Sequence, residues 1–154
     1  MKVLVFSVGD KDYGADITKV REVIRLRKVT PVPDVPDFIE GVISFRGKIL
    51  PLINLGKRFG GSVETSRANR IIIVKVQDHW TGMLVDKVCD VTTFKPEEIV
   101  SPDEMFKNAH YLRGVAKWVE KMVLIVDLAE LLKSEDTASL QKVQDRVELR
   151  KKTE

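Results

Sequence analysis

GVISFRGKILPLINLGKRF (41–59) and GVAKWVEKMVLIVDLAELL (114–132) are one pattern written twice. Laid over each other without a gap, they bring Gly41, Val42, Lys48 and Leu55 onto Gly114, Val115, Lys121 and Leu128, with Asn54 on Asp127. A second pair lies upstream in the same order, VFSVGDKDYGADITKVREV (5–23) over IVKVQDHWTGMLVDKVCDV (73–91). There Gly14 meets Gly82, Lys19-Val20 meets Lys87-Val88, Glu22 meets Asp90 and Val23 meets Val91. Each match is short, but two colinear matches point to an internal duplication. The longer offset of the first pair places an insertion in the connection 92–113. The expected organisation is one domain, 1–135, made of two homologous halves, about 1–65 and 66–135, with a tail, 136–154.

Each half reads as the same series. A strand rich in β-branched residues comes first, VLVFSV or RIIIVKV. A turn follows, Gly9-Asp10-Lys11-Asp12 or Gln77-Asp78-His79-Trp80, and then a strand whose matched glycine predicts a bulge or bend. ITKVREVI or VDKVCDVT leads into a proline-containing connection, which cannot supply a full ladder of donors. A hairpin and a short helical turn, LGKRFG or LAELLKS, close the half. Short strands with tight turns in so few residues predict a small SH3-like or OB-like barrel per half. Barrels that small gain by burying apolar faces against each other. In the tail, Leu140, Val143 and Val147 fall on one face of a helix.

Composition narrows the function classes. In 154 residues, 44% are hydrophobic and 32% charged, enough for a core under a solvated surface. No apolar run approaches the roughly 20 residues that span a bilayer, and the N-terminus lacks a cleavage signal. A single cysteine, Cys89, excludes an internal disulfide and fits a reducing cytoplasm. The net charge of +3 raises nucleic-acid binding, but basic residues are interleaved with acids and aromatics are only 6%. A small-barrel nucleic-acid-binding protein therefore stands as the alternative reading.

Candidate catalytic groups are few. His79 and His110 have no companions at metal-ligand spacing. Cys89 has no adjacent base, and its duplicate position holds Arg21. GDKDYGAD puts Gly14 where a calcium loop needs a side-chain ligand, and no phosphate-cradling glycine motif occurs. Arg46-Gly47-Lys48 resembles a phosphate grip, yet its duplicate, Val119-Glu120-Lys121, keeps only the lysine; a hairpin turn explains it. Neither catalysis nor a cofactor is expected. Symmetry is more telling: Ile17, Val20 and Val23 match Val85, Val88 and Val91, each set at a spacing of three. Such ridges either meet as core or line a groove suited to an apolar helix.

These residues resemble the CheW family of bacterial chemotaxis coupling proteins. PVPDVPDFIE followed by GVISFRGKILPLINL is similar to the family signature, and LVFSVGDKDYGADITKVREV to its opening hairpin and helix. GMLVDKVCDV and YLRGVAKWVEKMVLIVDLAELL resemble the second-half equivalents, so the likeness covers about residues 3–134. It implies a mainly β fold of two duplicated SH3-like five-stranded barrels packed on each other, with short helices and a C-terminal helix. It also implies a cytoplasmic, non-enzymatic adaptor recruited to membrane-associated chemoreceptor arrays without inserting into the membrane. The implied partners are the regulatory domain of a CheA-type histidine kinase and the cytoplasmic tips of methyl-accepting chemoreceptors.

Carried over by position, a receptor groove falls on Ile17, Val20, Glu22, Val23, Arg46 and Val88, and kinase docking on Val42, Phe45, Gly47 and Ile49, around the hairpin Val42–Leu52 and its duplicate in 114–126. The second hairpin departs from the family pattern. Val119-Glu120 are poor formers of a two-residue turn, so this hairpin is expected to be longer or bent.

Overall fold

The computed structural model describes residues 1–76, 78–102 and 109–132; the tail helix expected over 136–154 lies outside them. The first half forms β1 (Lys2–Val8), β2 (Lys11–Asp16), a 3-10 turn (Ile17–Lys19), β3 (Val20–Arg25), β4 (Ile39–Phe45), β5 (Lys48–Asn54) and α1 (Leu55–Arg58). The second forms β6 (Arg70–Val76), β7 (His79–Val85) and β8 (Lys87–Thr93). A 3-10 turn (Pro96–Glu98), β9 (Ile99–Val100), β10 (Leu112–Trp118), β11 (Lys121–Val126) and α2 (Leu128–Leu131) complete it. The 3-10 turn belongs to the longer second connection, and β9 extends a pairing that the first half makes as the single bridge Thr30–Val42.

The sheets do not follow the halves. One runs β8-β1-β2-β11-β10-β9 and the other β3-β6-β7-β5-β4. Replacing each strand of the first five by its duplicate gives the second order strand for strand. The halves have therefore exchanged their opening hairpins: β2 runs parallel to β11, and β7 parallel to β5. The boundaries 1–65 and 66–135 delimit the repeat, while each barrel is built from both halves.

That exchange explains why β1 and β6 are apolar on both faces. Val3 and Val5 enter a core enclosed by one sheet with Ala116, Val123 and Ile125. Leu4, Phe6 and Val8 enter the larger core shared with the other sheet. In β6, Ile71, Ile72, Ile73 and Val74 are all fully buried. A strand buried on both sides reads as a continuous apolar run rather than an alternation. Each such side chain contributes roughly 1.5–3 kcal/mol. A column of rings, Phe6–Tyr13–Phe59–Tyr111, crosses from one half to the other at centroid spacings of 5.8, 4.9 and 5.8 Å.

Four local expectations are corrected. Gly14 and Gly82 pair in unbroken register; a Cβ there would press to 3.0 Å on Val123 and Ile71, so these glycines make room inside each barrel. The bulges lie elsewhere, between Ile39 and Gly41, Leu112 and Gly114, Val20 and Glu22, and opposite Val5/Phe6 in β8. The segment after Lys19 is strand β3, not helix, and His79 and Trp80 open β7 rather than the turn. Finally, the second hairpin is as tight as the first. Trp118 pairs directly with Lys121, and Val119 and Glu120 take φ of 46° and 64°, matching 48° and 77° at Arg46 and Gly47. Strand twist selects this turn whatever residues occupy it.

Candidate partner-docking surface

On a regular strand, residues three apart face opposite ways. In β3, however, Val20 pairs with Val74 and Glu22 with Ile73, so Arg21 is an extra residue. The bulge brings Val20 and Val23 onto one face, the side of Ile72 and Val74. β8 repeats the device: Val88 pairs with Phe6, Asp90 with Val5 and Val91 with Leu4, leaving Cys89 as the extra residue. Both ridges therefore point toward the core that the sheets share. Ile17, Val20, Val23 and Val88 pack on it only half-buried, while Val91 is 40% exposed. Val85, the remaining ridge member, is fully buried and serves as core.

The 3-10 turn carrying Ile17 is held by Asp16, whose Oδ1 accepts from the Thr18 N–H at 2.9 Å and its hydroxyl at 2.8 Å. These two hydrogen bonds hold the Asp16 carboxyl below its ordinary range.

Glu22 and Arg46, also assigned to the groove, form an ion pair with both side chains partly exposed. Register sets Glu22 on the opposite face of β3 from Val20 and Val23. Strands β3 and β4 are the two edges of their sheet, and the pair links β3 to the β4–β5 turn. The Arg27 Nη1 group donates to the Ser44 carbonyl at 2.8 Å, a second link just beyond the end of β3. Both guanidiniums cover Phe45, Arg46 at 5.3 Å and Arg27 at 5.9 Å from the ring centroid.

The residues expected to dock the kinase divide in two. Val42 and Ile49 share the hairpin face that carries exposed Ser44, and both are half-buried. Val42 is also bridged to Thr30. Gly47 sits at the exposed turn with nothing within 4 Å of a Cβ. Phe45, by contrast, is buried beneath the two guanidiniums and offers no surface of its own. A ring so covered is no stacking platform for a nucleic-acid base.

Three features escaped sequence reasoning. Trp80 lies beneath Lys48 at 4.7 Å, where β7 and β5 run side by side, and beneath Arg21, the bulge residue of β3, at 5.9 Å. At the duplicate position, Lys121 stands 3.8 Å from Asp12, which accepts from the Ser7 hydroxyl at 2.6 Å; Cys89 lies 3.2 Å from that hydroxyl. The β9–β11 side of the other sheet exposes Val100, Val119 and Met122 by 67%, 76% and 57%. A valine in a turn that prefers Asn or Gly was the signal available for that surface.

Among the described residues, no helix is long and apolar enough to cross a membrane. A family model described as CheW-like domain matches residues 2–136. The chain is 35% identical over 143 residues to the chemotaxis protein CheW of Klebsiella aerogenes, covering 91% of this chain and 86% of that protein. It is 33% identical over 141 residues to CheW of Bacillus subtilis, covering 90% of each. The crystal structure of scaffolding protein TtCheW from Thermoanaerobacter tengcongensis superposes with a TM-score of 0.79 at 38% identity. That match covers 88% of this chain and 94% of the other.

Proposed function

The chain belongs to the CheW family of chemotaxis scaffold proteins, and from that premise we propose that it couples chemoreceptors to a CheA-type histidine kinase. In this reading it performs no chemistry. It holds two partners in a fixed relation, and control of the kinase is a change in that relation. The receptor tip, an apolar helical hairpin, seats on Ile17, Val20, Val23 and Val88, with Glu22 and Arg46 as polar contacts at the margin. The kinase's regulatory domain docks at Val42, Gly47 and Ile49, with Phe45 as the buried floor that supports Arg46. The protein works in the cytoplasm, recruited to receptor arrays through these contacts.

One observation carries the reading. Each duplicate spends a bulge, at Arg21 and at Cys89, on turning a valine pair toward the shared core, yet leaves it half-buried. A ridge that served only as core would be sealed, as Val85 is. Half-buried apolar ridges suit an amphipathic helix, whose apolar face completes the burial.

The test is a three-component pull-down with receptor and kinase fragments. Val20→Asp puts a charge on the ridge and is expected to weaken receptor binding at least tenfold, on the order of 1.4 kcal/mol, while kinase docking survives. Equal loss of both in a folded variant would refute the separate surfaces, and binding to neither partner by the wild type would refute the adaptor. The Glu22–Arg46 pair gives a second reading. Its exposure limits its coupling in a double-mutant cycle on stability to about 1 kcal/mol or less, so a larger loss of receptor affinity reports contact.

A further inference from the structure

At the far end of β3 from the valine ridge, a concavity of about 860 Å³ is lined by Arg25, Arg67 and Arg70 together with Thr65, Ser66 and Asn69. Arg25 and Arg70 are direct register partners on adjacent antiparallel strands. Like charges so placed repel. The duplication does not demand them, since the equivalent register of the other sheet sets Lys2 against Thr93. Among the described residues, no carboxylate lies within ion-pair distance of any of the three arginines, while Arg46, Lys57 and Arg113 each have one.

The loop beneath them is fixed in place. Asn69 is buried; its Oδ1 accepts from the Ser66 N–H at 2.9 Å and its Nδ2 donates to the Asp86 carbonyl at 3.3 Å. The Asn69 N–H donates to the Ser66 carbonyl at 3.2 Å. Arg70 spends Nη1 on the carbonyls of Arg67 and Asn69, at 2.9 and 2.8 Å. A guanidinium has five donors, so the rest of its fork is left for another acceptor.

We propose that this concavity binds a soluble oligophosphate of the pyrophosphate class. Several forks converging from two strands and a loop need an acceptor with oxygens in more than two directions. Phosphoryl groups supply that and a planar carboxylate does not. Clustered arginine, rather than lysine, is the cation suited to such bidentate recognition. The hydroxyls of Thr65 and Ser66 add neutral donors at the rim. Among the described residues no aromatic side chain lines the concavity, which fits recognition through the phosphate groups. The site is independent of the adaptor reading.

The experiment is a titration of the full chain with inorganic pyrophosphate at low ionic strength without divalent cations, followed by amide chemical shifts and calorimetry. Saturable one-to-one binding is expected, with shifts confined to residues 25–26 and 65–70, and with orthophosphate weaker. Arg25→Gln and Arg67→Gln, both at exposed side chains, should each weaken binding about tenfold, as loss of a charge-assisted contact does. Lys2→Gln should leave it unchanged. Three results overturn the proposal: no saturable binding, equal weakening in Lys2→Gln, or binding to phosphatidylglycerol vesicles without binding to pyrophosphate.

Discussion

Replacing Val119-Glu120 by Asn-Gly should stabilise the protein and weaken its kinase contact. Both residues are held at positive φ, 46° and 64°, where a Cβ costs about 1–2 kcal/mol per residue. A β-branched side chain stands at the upper end of that range. Glycine at 120 removes its share and asparagine at 119 removes part, recovering roughly 2–3 kcal/mol. Against this, glycine adds about 0.5–1 kcal/mol of unfolded-state entropy. Val119 is 76% exposed, so its lost contacts amount to about 0.5 kcal/mol. The net expectation is a gain of about 0.5–2 kcal/mol, or about 1–8 °C in Tm for a chain of this size.

Urea titration and calorimetry measure it, with Gly47→Glu as the reverse exchange in the first hairpin. Gly47 has φ 77° and free space around it, so that variant should lose about 1 kcal/mol through backbone strain alone. An Asn-Gly variant no more stable than wild type would refute the strain argument. Strain kept at an exposed turn is expected where the side chains serve recognition. Kinase-fragment affinity should therefore fall although stability rises, and unchanged affinity would show that Val119 is not a contact.

Other perturbations test the core and the caps. Gly41→Ala should cost more than about 3 kcal/mol, because its Cβ would stand 2.1 Å from the Thr30 carbonyl oxygen at φ 145°; chemical denaturation reads this. Gly114→Ala should cost less, about 1–3 kcal/mol, since its Cβ would stand 2.5 Å from the Ile99 Cγ2 methyl and 3.0 Å from the Val100 carbonyl oxygen, farther from backbone than at Gly41. Thr81→Val should raise stability by about 1 kcal/mol in the same assay, because the buried Thr81 hydroxyl has no hydrogen-bond partner among the described residues. Burial pushes the Asp127 carboxyl up, but the N–H groups of Glu130 and Ala129 and the Arg113 guanidinium outweigh it and hold the pKa below the ordinary range. A lowered folded pKa contributes stability above the unfolded value of about 3.9, lost as pH falls through the folded value. Asp127→Asn, which installs the cap residue of α1, should keep α2 capped and flatten the acid limb of a stability–pH profile.

The repeat, the strand-rich halves, the short closing helices and the two valine ridges were legible because each is a local pattern or a self-match. The exchanged hairpins were not. Duplicate strands have nearly the same composition, so β2 pairs as plausibly with β5 as with β11, and only three-dimensional closure decides. The bulges at Arg21 and Cys89 were hidden for a related reason. Apolar residues three apart satisfy a helical period and a bulged strand equally well, so the spacing did not contradict the helix that the family resemblance implied there. Trp80 was missed because its cationic neighbours come from β5 and from the bulge, both remote in sequence. Val119 could be noticed but not placed, since poor turn chemistry signals either a longer loop or a strained short one.

Strand exchange also bears on how one small chain would serve the two partners proposed for it. Each location in one sheet has a duplicate in the other, assembled from the same elements of opposite halves, and the pairs have diverged in chemistry while keeping geometry. Lys48 lies over Trp80 where Lys121 meets Asp12. Glu40, Asn54 and Lys57 form a polar cluster whose duplicate is Arg113, Asp127 and Glu130, with two charges reversed and a third newly introduced. Gly47 takes without strain the conformation that Glu120 holds at positive φ, while Arg46 and Val119 share the other turn position. Because both halves contribute to each sheet, neither surface can be deformed without stress on a strand belonging to the other. Two chemically distinct surfaces on one shared core are thus mechanically tied, and a scaffold that transmits geometry requires that property.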